Sequence, residues 1–143
     1  MKVREGGRVV KTSVLIATGV NNDGYRELLG MQIATSESVE SWTGFFQDLK
    51  ARGLGQVYLV TSDAHLGIQA AVGQVLPTAS WQRCRTHFAK NLSSKVSKRQ
   101  WTTLSGMFHS IFQQADAQAT WDQAREVVAV SYTHLTLPTK RIV

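Results

Sequence analysis

An acidic residue, Asp63, stands at the point where an apolar run of the chain gives way to a helical pattern. Residues 57–60 form a run suited to a buried strand, and the apolar spacing of a helix begins at Ile68. At the end of a strand, a carboxylate is attached to a rigid backbone while its oxygens remain exposed. Mg²⁺ prefers such oxygen ligands. Aspartate at a strand-to-helix junction is also a frequent helix cap, so these residues alone leave both roles open.

Cationic residues are concentrated after this acid. The chain carries a net charge of +6, and no acidic residue occurs between Asp63 and Asp116. Such segregation is typical of a surface that faces a polyanion, although a solvated basic face is an equal alternative. The interval holds six basic residues, of which the first four are our candidate phosphate contacts: Arg83, Arg85, Lys90, Lys95, Lys98 and Arg99.

Cys84 and His87 form a second candidate pair. A structural zinc site needs about four ligands. His65 and His109 are the other nearby candidates, but they are too far apart in the sequence to form a second pair of ligands with the short spacing of Cys84 and His87. A cysteine–histidine nucleophile is a further alternative, but a buried strand cysteine is more often an inert small hydrophobe. We expect both residues to support a site, with His87 hydrogen-bonding near its pocket or contacting the polyanion.

Length and composition limit the classes of protein that the chain can represent. The 143 residues are 43% hydrophobic and 18% charged, as expected of one globular α/β domain. No run of about 18 apolar residues predicts a membrane span, and the N-terminus lacks the apolar region of a signal peptide. The single cysteine excludes an internal disulfide, so we expect a reducing cytoplasm.

The apolar periodicities predict the order β-β-β-α-β-α-β-α, with a further helical pattern to about residue 112 and another beginning near residue 119. Two strands surround a turn at residues 5–7, the second covering residues 9–20, and a third covers residues 26–34. Ser36 or Ser38 caps a helix that an apolar stripe would bury in the core. A strand at 57–62, a helix ending at Pro77 and a short fifth strand follow.

Three antiparallel strands and a right-handed crossover helix would put the fourth strand parallel to the first, with the fifth beside the fourth. This is the mixed sheet of the ribonuclease-H-like fold, in which we expect Asp63 and His87 to share one pocket.

The C-terminal residues differ in pattern from the rest. The segment VSYTHLTLPTKRIV interrupts a helical pattern at Val130, and its first ten residues resemble one reading frame of a sequencing-library adapter. We therefore interpret residues 1–129 as the partial catalytic domain and residues 130–143 as a non-native tail. The tail is expected to pack poorly and to break the helix.

Several ordered motifs resemble the catalytic domain of mutator-type transposases of bacterial insertion sequences. The resemblance covers residues 2–129 and is carried by KVREGGRVV, VLIATGVNNDGYRELLG, SDAHLGIQAAV and WQRCRTHFAKNL. It implies a DDE-type enzyme on a ribonuclease-H-like fold that cuts and joins DNA with Mg²⁺ or Mn²⁺. Asp63 matches the second aspartate of the triad and would bind metal, and Cys84 and His87 match a Cys/Asp-x-x-His element.

The same resemblance implies that the first aspartate lies a few residues before Lys2 and that the glutamate lies well downstream. We therefore expect an inactive piece of a DNA transposase, which as an intact homo-oligomer would bind the terminal inverted repeats of its element and target DNA. Two alternatives stay open: a ribonuclease-H-like nuclease without strand transfer, and a non-catalytic nucleic-acid-binding module.

Overall fold

The computed structural model describes residues 2–5 and 7–135 of the chain. Two compact units divide the chain at residues 84 and 85. The first unit holds β1 (Lys2–Glu5), β2 (Arg8–Lys11), β3 (Ser13–Val20), β4 (Arg26–Ala34), α1 (Val39–Ala51), β5 (Leu59–Ser62), α2 (Leu66–Val75) and β6 (Ser80–Arg83). The second holds α3 (Arg85–Ser93), α4 (Lys98–Ile111) and α5 (Ala117–Leu135). Among the described helices, none is long and apolar enough to cross a membrane.

The N-terminal strands pair antiparallel, as the turn signals predicted. β1 pairs with β2, and β3 pairs with β4 through a turn in which Gly24 has a φ of +84°. Asn21 closes this turn, because its side-chain oxygen accepts the backbone N–H groups of Asp23 and Tyr25. The expectation of one continuous strand over residues 9–20 was wrong. The strand is interrupted at Thr12, where the chain exchanges β1 for β4 as its pairing partner.

The strands after α1 form a parallel pair. β5 and β6 lie side by side with Leu59 opposite Ser80 and Ser62 opposite Arg83, as expected for the fourth and fifth strands. The mixed α/β class is therefore confirmed. The single mixed sheet is not: the described strands form three separate two-stranded ladders, and none of them joins β5 to β1. β1 is only four residues long and pairs along its whole length with β2, from Lys2 opposite Lys11 to Glu5 opposite Arg8, and none of its residues pairs with β5.

A hydrophobic core lies beneath α1 and α2. Four residues of α1 are buried, as its apolar stripe predicted: Trp42, Phe45, Phe46 and Leu49. Leu15 of β3 is fully buried against them, and Val60 of β5 packs at the edge of the same cluster. Ser38 is the N-cap of α1 and accepts the N–H of Ser41, which settles the choice between Ser36 and Ser38.

A charge at the start of α1 complements this cap. The backbone N–H of Glu40 and the Ser38 hydroxyl donate to the Glu40 carboxylate, and these hydrogen bonds hold the pKa of Glu40 below its ordinary value. A negative charge is also favourable here because the first turn of a helix carries the positive end of its dipole. Glu40 is therefore stabilised in its charged form at the start of α1.

Apolar residues on the far faces of the strands are exposed, contrary to the expectation of a buried strand at residues 57–60. Tyr58 is 68% and Leu59 is 53% exposed. Side chains alternate between the two faces of a strand, and Val60 packs against the core beneath α1 and α2, so the neighbouring Leu59 lies on the opposite, open face; Tyr58 lies just before the first residue of β5. The outer face of β3 and β4 is equally open, and Ile16 and Met31 lie opposite each other there.

The second unit is held together by apolar contacts among its helices. Phe108 is buried, with its ring centre 5.7 Å from that of Phe88 and 5.2 Å from that of Phe112. The start of α4 is fixed by a capping box, in which Ser97 and Gln100 satisfy each other's backbone N–H groups.

The expected break of the helix at Val130 was wrong, because α5 continues to Leu135. Ser131 is buried, whereas Tyr132 is 62% exposed. The foreign origin of residues 130–143 concerns their source and stays a prediction. Residues 136–143 lie outside the described part of the chain.

Candidate catalytic site

Asp63 follows the last residue of β5 directly and is half-buried. Its Oδ1 accepts the backbone N–H of His65 at 3.2 Å, which closes a tight turn between the strand and α2. Among the described residues, the other carboxylate oxygen accepts no hydrogen bond. The turn therefore fixes the carboxylate through one oxygen and leaves the second able to bind a cation.

Another residue caps α2. The N-cap is His65, whose Nδ1 accepts the backbone N–H of Gly67 at 3.2 Å. Because Nδ1 accepts this bond, a neutral His65 carries its proton on Nε2. The helix-cap role that the sequence left open for Asp63 thus belongs to a histidine two residues later.

The turn is packed closely on its helix side. A Cβ atom at Gly67 would lie 2.9 Å from Cε1 of His65 and 3.2 Å from the backbone carbon of Ser38. Real Cβ contacts are almost never as short as the first of these distances. A side chain at this position would have to displace the His65 ring and would crowd the start of α1, so glycine lets both approach the first turn of α2.

The strand side of the turn is held by hydrogen bonds from β6. The indole Nε1–H of Trp81 donates to Oγ of Ser62 at 2.9 Å, and the Ser62 hydroxyl donates to the backbone oxygen of Asp63 at 2.8 Å. The backbone N–H of Cys84 donates to the backbone oxygen of Ser62 and so extends the parallel pairing by one step. Asp63 is therefore connected to both neighbouring elements.

Cys84 and His87 have different surroundings. Cys84 is half-buried and lies directly after β6, beside the strand end that precedes Asp63. His87 is exposed and belongs to α3, in the second unit. Proximity of His87 to Asp63 stays a prediction. Within residues 2–5 and 7–135, no three histidine, cysteine, aspartate or glutamate side chains are grouped so that they could hold a metal ion.

The four candidate phosphate-binding residues also differ in their positions. Arg83 ends β6 and is half-buried, whereas Lys90 and Lys95 are exposed in the second unit. The guanidinium of Arg85 lies 4.7 Å from the centre of the Phe112 ring. This cation–π contact holds the side chain without occupying its hydrogen-bond donors. Lys98 and Arg99 are also exposed, in the first turn of α4.

Sequence reasoning missed three residues around the site: Ser62, His65 and Trp81. His65 was considered only as a zinc ligand, and the other two only as strand residues. One signal for His65 was available, because it directly precedes the first helical residue and stands two positions before a glycine. The Trp81–Ser62 bond joins residues that are 19 positions apart, and it depends on a parallel register that no local pattern specifies.

Comparison with known proteins gives a consistent group of relatives. The model of the family described as "Transposase, Mutator family" matches residues 1–139. The transposase for insertion sequence element IS1081 of Mycobacterium tuberculosis is 52% identical over 128 residues, which are 90% of this chain. The transposase for IS256 in transposon Tn4001 of Staphylococcus aureus is 41% identical over 116 residues, or 81% of the chain.

The relatives are much longer than this chain. The matched residues make up 31% of the IS1081 transposase and 30% of the IS256 transposase. The transposase for element ISRM5 of Rhizobium meliloti is 50% identical over 98 residues, and these are 25% of its length. The chain thus spans about a third or less of each of these relatives.

Proposed function

The chain belongs to the Mutator family of transposases, and we therefore propose that it forms part of the catalytic domain of an insertion-sequence DNA transposase. In this proposal the intact enzyme cleaves the ends of its element and joins them to target DNA. The single observation that carries the catalytic role is Asp63, which is anchored through one carboxylate oxygen while the other accepts no hydrogen bond from the described residues.

The donor set at Asp63 suits a hard divalent cation such as Mg²⁺ or Mn²⁺. Mg²⁺ is usually bound by one or two carboxylates together with waters and substrate phosphates, and Asp63 supplies one such carboxylate. When bound, the metal would activate the attacking oxygen and stabilise the leaving oxygen of the phosphoryl transfer. Asp63 would hold it, and the turn to His65 would keep the carboxylate from rotating away. Among the described residues, no group of three or more histidine, cysteine, aspartate or glutamate side chains could hold the ion by itself.

The sheet geometry supports a ribonuclease-H-like arrangement in the intact enzyme. Lys2 pairs with Lys11 and Glu5 with Arg8, so a longer first strand would continue antiparallel along β3. Such a strand would pair with the edge of β3 that is not paired with β4. The other edge of this first strand would then be open to β5. Leu15 of β3 and Val60 of β5 already pack in one core beneath α1. An extended first strand would join the ladders into one mixed sheet, with Asp63 at the end of β5.

A chimeric enzyme tests the proposed function. Residues 2–129 would replace the corresponding segment of the IS1081 transposase, to which the chain is 52% identical. The purified chimera would be mixed with Mg²⁺, a duplex carrying the ends of that element and a target plasmid. We expect end cleavage followed by joined products.

Cleavage without joining would favour the nuclease alternative. DNA binding without cleavage, by a folded chimera, would favour the non-catalytic module. Gel-filtration of the chimera with and without DNA would show whether it assembles as a homo-oligomer, as we propose for the intact enzyme.

The isolated 143-residue chain is expected to bind duplex DNA weakly, with an affinity that falls steeply as salt rises. Lys90 and Lys95 are exposed in a region without acidic residues and are our candidate phosphate contacts. Replacing both by alanine should reduce the slope of log affinity against log salt by about one unit for each lysine. Fluorescence anisotropy at several NaCl concentrations measures this slope.

Arg125→Ala is the matched control for this measurement, because Arg125 is an exposed cation whose charge is paired with Asp122. Its slope should equal that of the parent chain. An unchanged slope in the double lysine variant would exclude these residues as phosphate contacts.

A further inference from the structure

We propose that Ser62 and Trp81 are positioning residues for Asp63, and that the indole N–H of Trp81 fixes the orientation in which Asp63 meets a divalent cation. This inference rests on the proposed function and extends it to two residues that have no role in the sequence analysis. Neither side chain is proposed to contact the metal or the DNA. Both would act through the backbone of Asp63.

The hydrogen bonds form a chain that runs from one strand to the site. Trp81 donates to Oγ of Ser62 at 2.9 Å, and the hydroxyl of Ser62 donates onward to the backbone oxygen of Asp63 at 2.8 Å. With its oxygen accepting from the indole, the Ser62 hydroxyl proton is directed to the Asp63 carbonyl. The indole has a single N–H and no acceptor, so the direction of the chain is fixed.

The strand register explains why these side chains meet. Trp81 pairs with Val60, and side chains two residues apart on a strand share a face. Ser62 therefore lies on the same face as Val60 and Trp81, the face that packs toward the core beneath α1. Asp63 follows directly after the strand. Its backbone oxygen accepts the hydrogen bond from the Ser62 hydroxyl, and its carboxylate accepts the N–H of His65.

The two contacts restrict Asp63 on both sides. The Ser62 bond fixes the peptide plane that follows Asp63, and the His65 bond fixes one carboxylate oxygen. Loss of groups that orient a metal ligand typically lowers metal affinity or activity by about 10- to 100-fold. We expect an effect in this range when the indole N–H is removed, although Trp81 lies outside any direct contact with the reacting atoms.

Trp81→Phe removes the N–H and retains an aromatic ring at the same place. The measurement uses the 143-residue chain, with MnCl₂ as the probe and paramagnetic broadening of the backbone amide signals of residues 62–66 as the readout. In the variant, the Mn²⁺ concentration that gives half of the broadening should rise by about tenfold. Trp121→Phe is the matched control, because Trp121 is 66% exposed on α5, and it should leave this concentration unchanged.

Ser62 provides an independent variant and a rescue. Ser62→Ala removes both hydrogen bonds and should weaken Mn²⁺ binding as much as Trp81→Phe does. Ser62→Thr retains the hydroxyl and suits a strand, so it should restore the parent value. In the IS1081 chimera, Trp81→Phe should likewise raise the Mg²⁺ concentration for half-maximal cleavage while DNA affinity stays constant.

Three outcomes would overturn the inference. The first is parental Mn²⁺ binding in both Trp81→Phe and Ser62→Ala, and the second is failure of Ser62→Thr to restore Mn²⁺ binding. The third is unfolding of both Trp81→Phe and Ser62→Ala, which would mean that the two residues only stabilise the fold. Failure of the underlying metal-site proposal is distinguishable. In that case Asp63→Asn would also leave the broadening of residues 62–66 unchanged. If Asp63→Asn abolishes the broadening and Trp81→Phe does not shift it, only the positioning role is lost.

Discussion

Replacing Asp63 by asparagine in the chimeric transposase is expected to reduce end cleavage by about 10³-fold or more, since a catalytic metal supplies several kcal/mol of transition-state stabilisation. The melting temperature should stay at the parental value. Asparagine retains a side-chain oxygen that can accept the N–H of His65, so the turn after β5 can form as before. The variant therefore removes the negative charge and preserves the local structure.

Asp116→Asn is the matched control for that variant. The carboxylate of Asp116 also accepts a backbone N–H, that of Ala119 at 2.8 Å at the start of α5, but it has no proposed catalytic role. Its cleavage rate should remain near that of the parent chimera. If both asparagine variants cleaved DNA at similar rates, Asp63 would be a turn residue, and its assignment as a metal ligand would be wrong.

The largest expected loss of stability follows the replacement of Phe45 by alanine. The Phe45 side chain is fully buried, and its ring centre lies 5.9 Å from that of Trp42 and 6.1 Å from that of Phe46. Truncation of a buried phenylalanine loses its burial and leaves a cavity, which typically costs about 3–5 kcal/mol. Urea unfolding of the 143-residue chain, followed by tryptophan fluorescence, measures the change in the free energy of unfolding.

Met31→Ala is the comparison for this core variant, because Met31 is 66% exposed on the outer face of β4. Its free energy of unfolding should remain within about 0.5 kcal/mol of the parent value. Equal losses in the two variants would mean that the outer face of the β3–β4 ladder is buried in solution and that the core assignment is incomplete.

Helical elements were predictable from the sequence because their signals are local. The apolar spacing from Trp42 to Leu49 specified the buried face of α1, and the serines at 36 and 38 placed its start to within two residues, with Ser38 the N-cap that the structure shows. The same reasoning identified the buried residues of α2, which ends just before Pro77. Each of these patterns depends on residues three or four positions apart, so no knowledge of distant parts of the chain was needed.

Strand pairing was less predictable because it depends on partners far away in the sequence. The parallel pairing of β5 and β6 followed from the crossover rule, but the break at Thr12 and the separate ladders did not. The prediction that residues 57–60 are buried was wrong for a related reason. Tyr58 and Leu59 are residue types that suit a buried strand, but their exposure depends on which surfaces the helices cover, and no local pattern specifies this.

At the candidate site, the sequence identified the acid but not the residues that hold it. Asp63 was recognisable from its position after an apolar strand, and the family resemblance favoured its role as a ligand. The cap by His65, the close approach at Gly67 and the bond from Trp81 required the three-dimensional arrangement of three elements. In the tail, the residue pattern suggested a break at Val130, but helix formation continued across it to Leu135.

The most direct test of the central claim, that Asp63 binds the catalytic metal, is the cleavage rate of an Asp63→Cys chimera measured in Mg²⁺ and in Mn²⁺. A thiolate is a soft ligand that suits Mg²⁺ poorly and is better tolerated by a transition metal. If Asp63 contacts the metal, the variant should be inactive in Mg²⁺ and regain measurable end cleavage in Mn²⁺. Cleavage in Mg²⁺ at the parental rate, with no preference for Mn²⁺, would contradict the claim.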